Sequence, residues 1–155
     1  MQIKPFFRTL TIIHSSLVLG LVLFCAIAYF QSDGFTVSME NEFDIFIYVV
    51  PLIGMAGYFG SQYVFKNLLN TIKSSDDLGI KLGKYRTASL IKFAILEAPA
   101  ILALIAFYMT KNALYFVISV CLILYLFIQR PTVQRMKNDL PLNLEEIKQF
   151  DTLKT

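Results

Sequence analysis

The sequence contains no tryptophan, one histidine and two cysteines in 155 residues, and only 16% of it is charged. Each shortage removes a class of function. Cys25 and Cys121 stand far apart, so neither a disulfide framework nor a CxxC redox pair is present, and both read as small polarizable packing residues. His14 has no second histidine with which to share a metal or haem, which leaves a packing role, bonded to a neighbouring backbone or serine group. No nucleophile stands beside a base, no metal-ligand spacing recurs and no phosphate loop is present. Neither an enzyme nor a resident cofactor is expected. The charged fraction also falls short of the roughly one quarter usual in soluble domains.

What fills the chain instead is apolar: 56% of the residues are hydrophobic, with 14 Phe and 8 Tyr. They gather in four blocks, residues 10–30, 45–65, 88–109 and 113–128, each near the length that crosses a ~30 Å hydrocarbon core. The net charge of +3 is not a nucleic-acid signal, because the basic residues are sorted by loop. Lys4 and Arg8 precede the first block, Lys66, Lys73, Lys81, Lys84 and Arg86 lie between the second and third, and Arg130, Arg135, Lys137, Lys148 and Lys154 follow the fourth. The loop after the first block has no Lys or Arg and carries Asp33, Glu40, Glu42 and Asp44. The positive-inside rule places both termini and the middle loop in the cytoplasm and the acidic loop outside. The expectation is a multi-pass protein of the cell inner membrane. The first block with Ala26-Ile27-Ala28 could also be read as a signal peptide, but its apolar run is longer than a typical signal core, which favours a span.

The blocks repeat. FRTLTIIHSSLVLG (residues 7–20) and YRTASLIKFAILEA (residues 85–98) match without a gap at Arg8/Arg86, Thr9/Thr87 and Ile13/Ile91, and further on at Ala28/Ala106. The second and fourth blocks align through Tyr48/Tyr115, Tyr58/Tyr125 and Gln62/Gln129, and DLGIKLGKY (77–85) resembles DLPLNLEEI (139–147). A tandem duplication follows, with units at about residues 7–85 and 85–150 that run parallel to one another. The expected fold is all-α: a single polytopic membrane domain over residues 1–155, four transmembrane helices as two tandem antiparallel hairpins, with a cytoplasmic loop at 66–86 and a tail at 130–155 that form short helices.

Leu68, Leu69 and Ile72 continue helical spacing past the second block, with Ser74, Ser75 or Asp76 available as the next cap. In the tail, Asn143 is placed to cap a helix with Glu145 and Glu146 in its first turn. Its apolar residues Leu144, Ile147 and Phe150 suit packing on this protein's own membrane face, or docking of a cytoplasmic partner. Gly54, Gly57, Gly60 and Ser61 give the second block a small-residue face for close helix packing.

One stretch raises a functional question. IKFAILEAPAILALIAFY (91–108) is nearly all apolar, yet contains Glu97 and Pro99. Counting from the outer end, Glu97 falls near mid-bilayer, where an ionised carboxylate is costly and the uncharged acid is the cheaper form. Pro99 has no N–H, so the Ile95 carbonyl loses its helical partner. Tyr58 and Tyr125 reach similar depth. Glu97, Ile95, Tyr58 and Tyr125 are therefore the candidate proton- or cation-binding set, with a purely structural Glu97–tyrosine lock as the alternative. Lys92 is expected to snorkel to the cytoplasmic surface.

EAPAILALIAF (97–107), preceded by a helix with Gly54, Gly57 and Gly60 and a basic loop, resembles the carboxylate helix of rotary-ATPase proteolipid (c-type) subunits. That resemblance implies that Glu97 carries a proton or Na⁺, with Ile95 and Tyr58 or Tyr125 as supporting ligands. A fainter likeness is to small multidrug exporters that use one membrane glutamate. The resulting expectation is a small non-enzymatic membrane subunit, homo-oligomeric or within a larger membrane complex, whose buried carboxylate handles a proton or cation. The alternatives are an assembly factor that anchors a partner through its cytoplasmic segments, and a proton-coupled exporter. The lipid bilayer and other membrane subunits are the expected partners, and nucleic acid is not.

Overall fold

The computed structural model describes residues 3–32, 34–37 and 45–151. The four acids of the loop after the first block, and Lys154, lie outside these residues, as does the expectation that this loop faces outward. Six helices follow one another: α1 (Ile3–Phe30), α2 (Phe46–Leu69), α3 (Leu78–Thr110), α4 (Ala113–Ile128), α5 (Val133–Asp139) and α6 (Leu144–Asp151). Among the described residues there is no strand, only a single bridge between Thr36 and Asn112. The all-α expectation holds.

Two helices, α1 and α3, are long and apolar enough to cross a membrane, and a third span arises if α4 and α5, bent by 81° at their junction, are counted together. Taken alone, α4 has 16 residues, and α2 mixes Pro51, three glycines, tyrosines and Gln62 into its apolar run. Helix α3 is the hub, packing on α2 most extensively and then on α4 and α1.

The third block does not begin where the apolar run begins. Residues 78–87, expected to be a separate cytoplasmic segment, continue α3 into one helix of 33 residues. Gly79 and Gly83 disguise this continuity, since glycine weakens a helix interior. Burial of Leu82 and Tyr85 and the ion pair of Lys81 hold the extra turns. Asp77 is the N-cap, its side chain accepting from the Gly79 N–H at 3.0 Å. Asp76, one of the proposed caps, instead accepts from the Lys73 N–H and from Lys84 Nζ at 2.8 Å. The Lys84 ammonium, followed by that backbone N–H, holds the Asp76 carboxyl below the usual carboxylate range.

The segment after α4 closes onto the bundle. Asn143 and Glu146 form a capping box at the start of α6: the Asn143 side chain accepts from the Glu146 N–H at 2.8 Å and the Glu146 carboxylate accepts from the Asn143 N–H at 2.7 Å. The same carboxylate accepts both bonds from Lys81 Nζ, at 2.9 and 3.1 Å, and that lysine is fully buried. Phe150 is fully buried in the main core, Ile147 is half-buried and Leu144 is exposed. Two residues of the proposed docking stripe thus face this protein itself.

At the opposite end, Phe35 stacks on Phe107 with Tyr29 and Phe116 beside it. The Thr36 backbone pairs with the α3–α4 turn, its N–H donating to the Lys111 carbonyl at 2.9 Å and its carbonyl accepting from the Ala113 N–H at 3.0 Å.

Candidate functional site

Glu97 lies thirteen residues before the end of α3 at Thr110, roughly 20 Å along the axis at ~1.5 Å per residue. Two faces of α3 near it are occupied. Ile95 and Pro99 face α2, where a methyl group on Gly57 would lie 2.6 Å from Pro99 Cγ and 3.1 Å from the Ile95 carbonyl oxygen. Phe93 faces α1, its ring 4.8 Å from that of His14. Glu97 is one turn beyond Phe93 and about 200° round the helix from Ile95. It therefore sits on the flank toward α1, away from α2. It is half-buried, and among the described residues it makes no hydrogen bond or ion pair.

Beside Glu97 runs an uncovered strip of α3. Thr87, Ala94, Ala98, Ile105 and Tyr108 are exposed along it, with Ile91 and Ile101 half-buried between them. Spacings of three and four residues keep these side chains on one stripe, and the two alanines lie within a turn of the carboxyl group.

The other members of the candidate set are elsewhere. The Tyr58 and Tyr125 rings lie 4.7 Å apart across the α2–α4 contact, and the Gln62 amide donates to the Tyr125 hydroxyl. The structure thus brings Tyr58 and Tyr125 together with Gln62, and places Glu97 with neither tyrosine. The Ile95 carbonyl, which lacks an N–H partner from Pro99, faces Gly57, where an added methyl group would lie 3.1 Å from its oxygen. Of the packing residues, Gly54 faces Ile118 and Leu122, Gly60 faces Ile95, and the buried Ser61 hydroxyl donates to the Tyr58 carbonyl. An apolar groove between α2 and α4, lined by Pro51, Met55, Tyr58, Val117 and Cys121 among others, includes no residue of α3.

His14 is buried, and its Nε2 lies 2.8 Å from the Leu126 carbonyl. That carbonyl belongs to the last turn of α4, where it also accepts from the Gln129 N–H at 3.0 Å in place of the regular i+4 bond. Arg135 reaches back from α5 to the Ile128 carbonyl at 3.0 Å. Two side chains from other helices therefore close the C-terminal end of α4. Among the described residues no group of three or more His, Cys, Asp or Glu is arranged to hold a metal.

Sequence reasoning missed the polar cluster where α3 meets the junction of α4 and α5. Lys92 is buried, donates to Gln129 Oε1 at 2.9 Å and lies 4.5 Å from the centroid of the Phe65 ring. It turns inward to the α3–α4 contact where snorkelling was expected. The Tyr85 hydroxyl is 3.4 Å from Asp139 on α5. Burial pushes the Asp139 carboxyl above its ordinary range, against the opposing pull of Tyr85, Lys92 and Arg135. Cues were present in the pairing of Lys92 with Gln129 near the ends of adjacent apolar blocks. The contact itself depends on the register of two helices.

No protein-family model, curated protein or solved structure matches the chain.

Proposed function

We propose that this chain is a small integral membrane subunit, crossing the bilayer four times with both termini cytoplasmic, that assembles with further membrane helices and handles a proton or cation at Glu97. The observation that carries the reading is that Glu97 has no polar partner among the described residues while bordering the open, alanine-centred strip of α3. A carboxyl group at hydrocarbon depth is costly and is ordinarily met by a polar group or a water-filled path. Small residues let a second helix approach closely enough to supply one. The likeness of residues 97–107 to the proteolipid carboxylate helix belongs to the same reading. The folding of α6 onto its own bundle through Glu146 and Phe150 favours it over a role in which the tail anchors a partner.

The test is Glu97→Gln in proteoliposomes. The amide has the shape of the uncharged acid, so the folded assembly should survive in native gels while proton- or Na⁺-dependent flux disappears. Undiminished flux in that variant would refute the role of Glu97.

A further inference from the structure

Two lysines of the described chain are buried, and they are treated differently. Lys81 is neutralised by the Glu146 carboxylate. Lys92 is 8% exposed and, among the described residues, forms no ion pair. An ammonium has three N–H donors. In Lys92 one is directed to Gln129 and another faces the Phe65 ring, which leaves a third.

Lys92 lines a cavity of about 30 Å³, room for one or two waters. Its charged lining is lopsided: Lys92, Arg130 and Arg135 against the single acid Asp139, a formal +2 from three cations and one acid. Arg130 and Arg135 are exposed at its rim. Arg135 spends one amino group on the Ile128 carbonyl, and the guanidinium has further N–H groups to offer. The 81° elbow between α4 and α5 brings these cations together where the apolar run of α4 ends. Three cations facing one acid leave an excess positive charge beside a buried ammonium, an expensive arrangement normally relieved by an anion.

We infer that the elbow is a binding site for a phosphate oxyanion, supplied either by an anionic lipid headgroup or by free inorganic phosphate. One phosphate oxygen enters the cavity beside Lys92 and the others meet the two guanidinium groups at the rim. Basic pockets between helices at the cytoplasmic side are suited to anionic headgroups. The site is distinct from Glu97 and stands or falls separately.

The test uses the full chain in a non-ionic detergent at fixed ionic strength, followed by thermal unfolding and by mass spectrometry under native conditions. The probes are phosphatidylglycerol, a glucosyl-diacylglycerol that lacks phosphate, and inorganic phosphate alone. Protection and retention by phosphatidylglycerol but not by the glucosyl lipid assign the headgroup as ligand. Equal protection by inorganic phosphate without lipid assigns the free anion. In either case Lys92→Gln and Arg130→Gln should each weaken binding about tenfold, as expected for loss of one charge-assisted bond. Arg130 makes no side-chain hydrogen bond among the described residues, so its variant decides the matter should Lys92→Gln fold poorly. No shift with either phosphate probe, or a shift that persists in both variants, overturns the site.

Discussion

Gly57 and Pro99 fit together as a notch and its filling. The Pro99 ring takes the place that a side chain on Gly57 would need, with Cγ only 2.6 Å from the would-be methyl group. The Ile95 carbonyl left without an N–H by the same proline rests against that glycine. A proline in α3 thus requires a glycine in α2, and the pair lies in the most extensive helix contact of the bundle.

Gly57→Ala should therefore destabilise the fold by ~1–3 kcal/mol through overpacking. Pro99→Ala should relieve most of that loss in the double variant, a coupling that a double-mutant cycle of unfolding in detergent would measure. Gly20→Ala is the control, since nothing lies within 4 Å of its added methyl. Additive losses for the pair would show that the notch does not couple the two helices.

Lys81→Met should cost roughly 3–5 kcal/mol, because it strands the Glu146 carboxylate at a buried position. Replacing both partners, Lys81→Met with Glu146→Leu, should recover much of this, less the ~1 kcal/mol lost with the capping box. Glu146→Gln separates the two duties, since the amide can still accept from the Asn143 N–H while the ion pair is gone. Unfolding midpoints of the four proteins decide the matter.

Asp76 and Asp139 should respond to acid in opposite senses. The folded state holds the Asp76 carboxyl below its ordinary range through Lys84 and the Lys73 N–H. Its contribution is present above the unfolded carboxylate range and disappears as pH falls through the depressed folded value. Asp139 is held above its ordinary range by burial, so the native state binds that proton more tightly than the unfolded one. Its penalty is present at neutral pH and is relieved as pH falls through the raised folded value. Asp76→Asn should lower the unfolding midpoint at neutral pH and Asp139→Asn should raise it, and both differences should vanish in acid.

His14→Phe keeps a ring against Phe93 but removes the donor to the Leu126 carbonyl. The carbonyl keeps the Gln129 N–H at 3.0 Å, so a loss of only ~0.5–1.5 kcal/mol is expected, that of one hydrogen bond. Hydrogen exchange should locate the loosening at the C-terminal turn of α4. An unchanged midpoint would show that another group takes over the carbonyl.

Sequence legibility followed the range of the interaction. The Asn143–Glu146 capping box spans three residues and could be anticipated as a cap with acids behind it. The N-cap of α3 was missed by one position, because Ser74-Ser75-Asp76-Asp77 offers four side chains able to cap and only Asp77 meets the helix in register. The inward turn of Lys92 and the pairing of Lys81 with Glu146, 65 residues apart, depend on how α3 settles against α4 and α6. No local pattern carries that information. Glu97 stood out as a lone acid in an apolar run, but its angle relative to Tyr58 and Tyr125 depended on which face of α3 meets α2. The glycine–proline notch sets that face.

The bond between Lys81 and the capping box of α6 also constrains the order of biosynthesis. Translation delivers the lysine 65 residues before the glutamate, so the N-terminal turns of α3 lack their ion-pair partner until residue 146 has emerged. A chain halted before residue 146 would hold its hydrophobic helices with Lys81 lacking its carboxylate. Docking of α6 is thereby the latest step, among the described helices, that the order of synthesis allows at this end of the bundle.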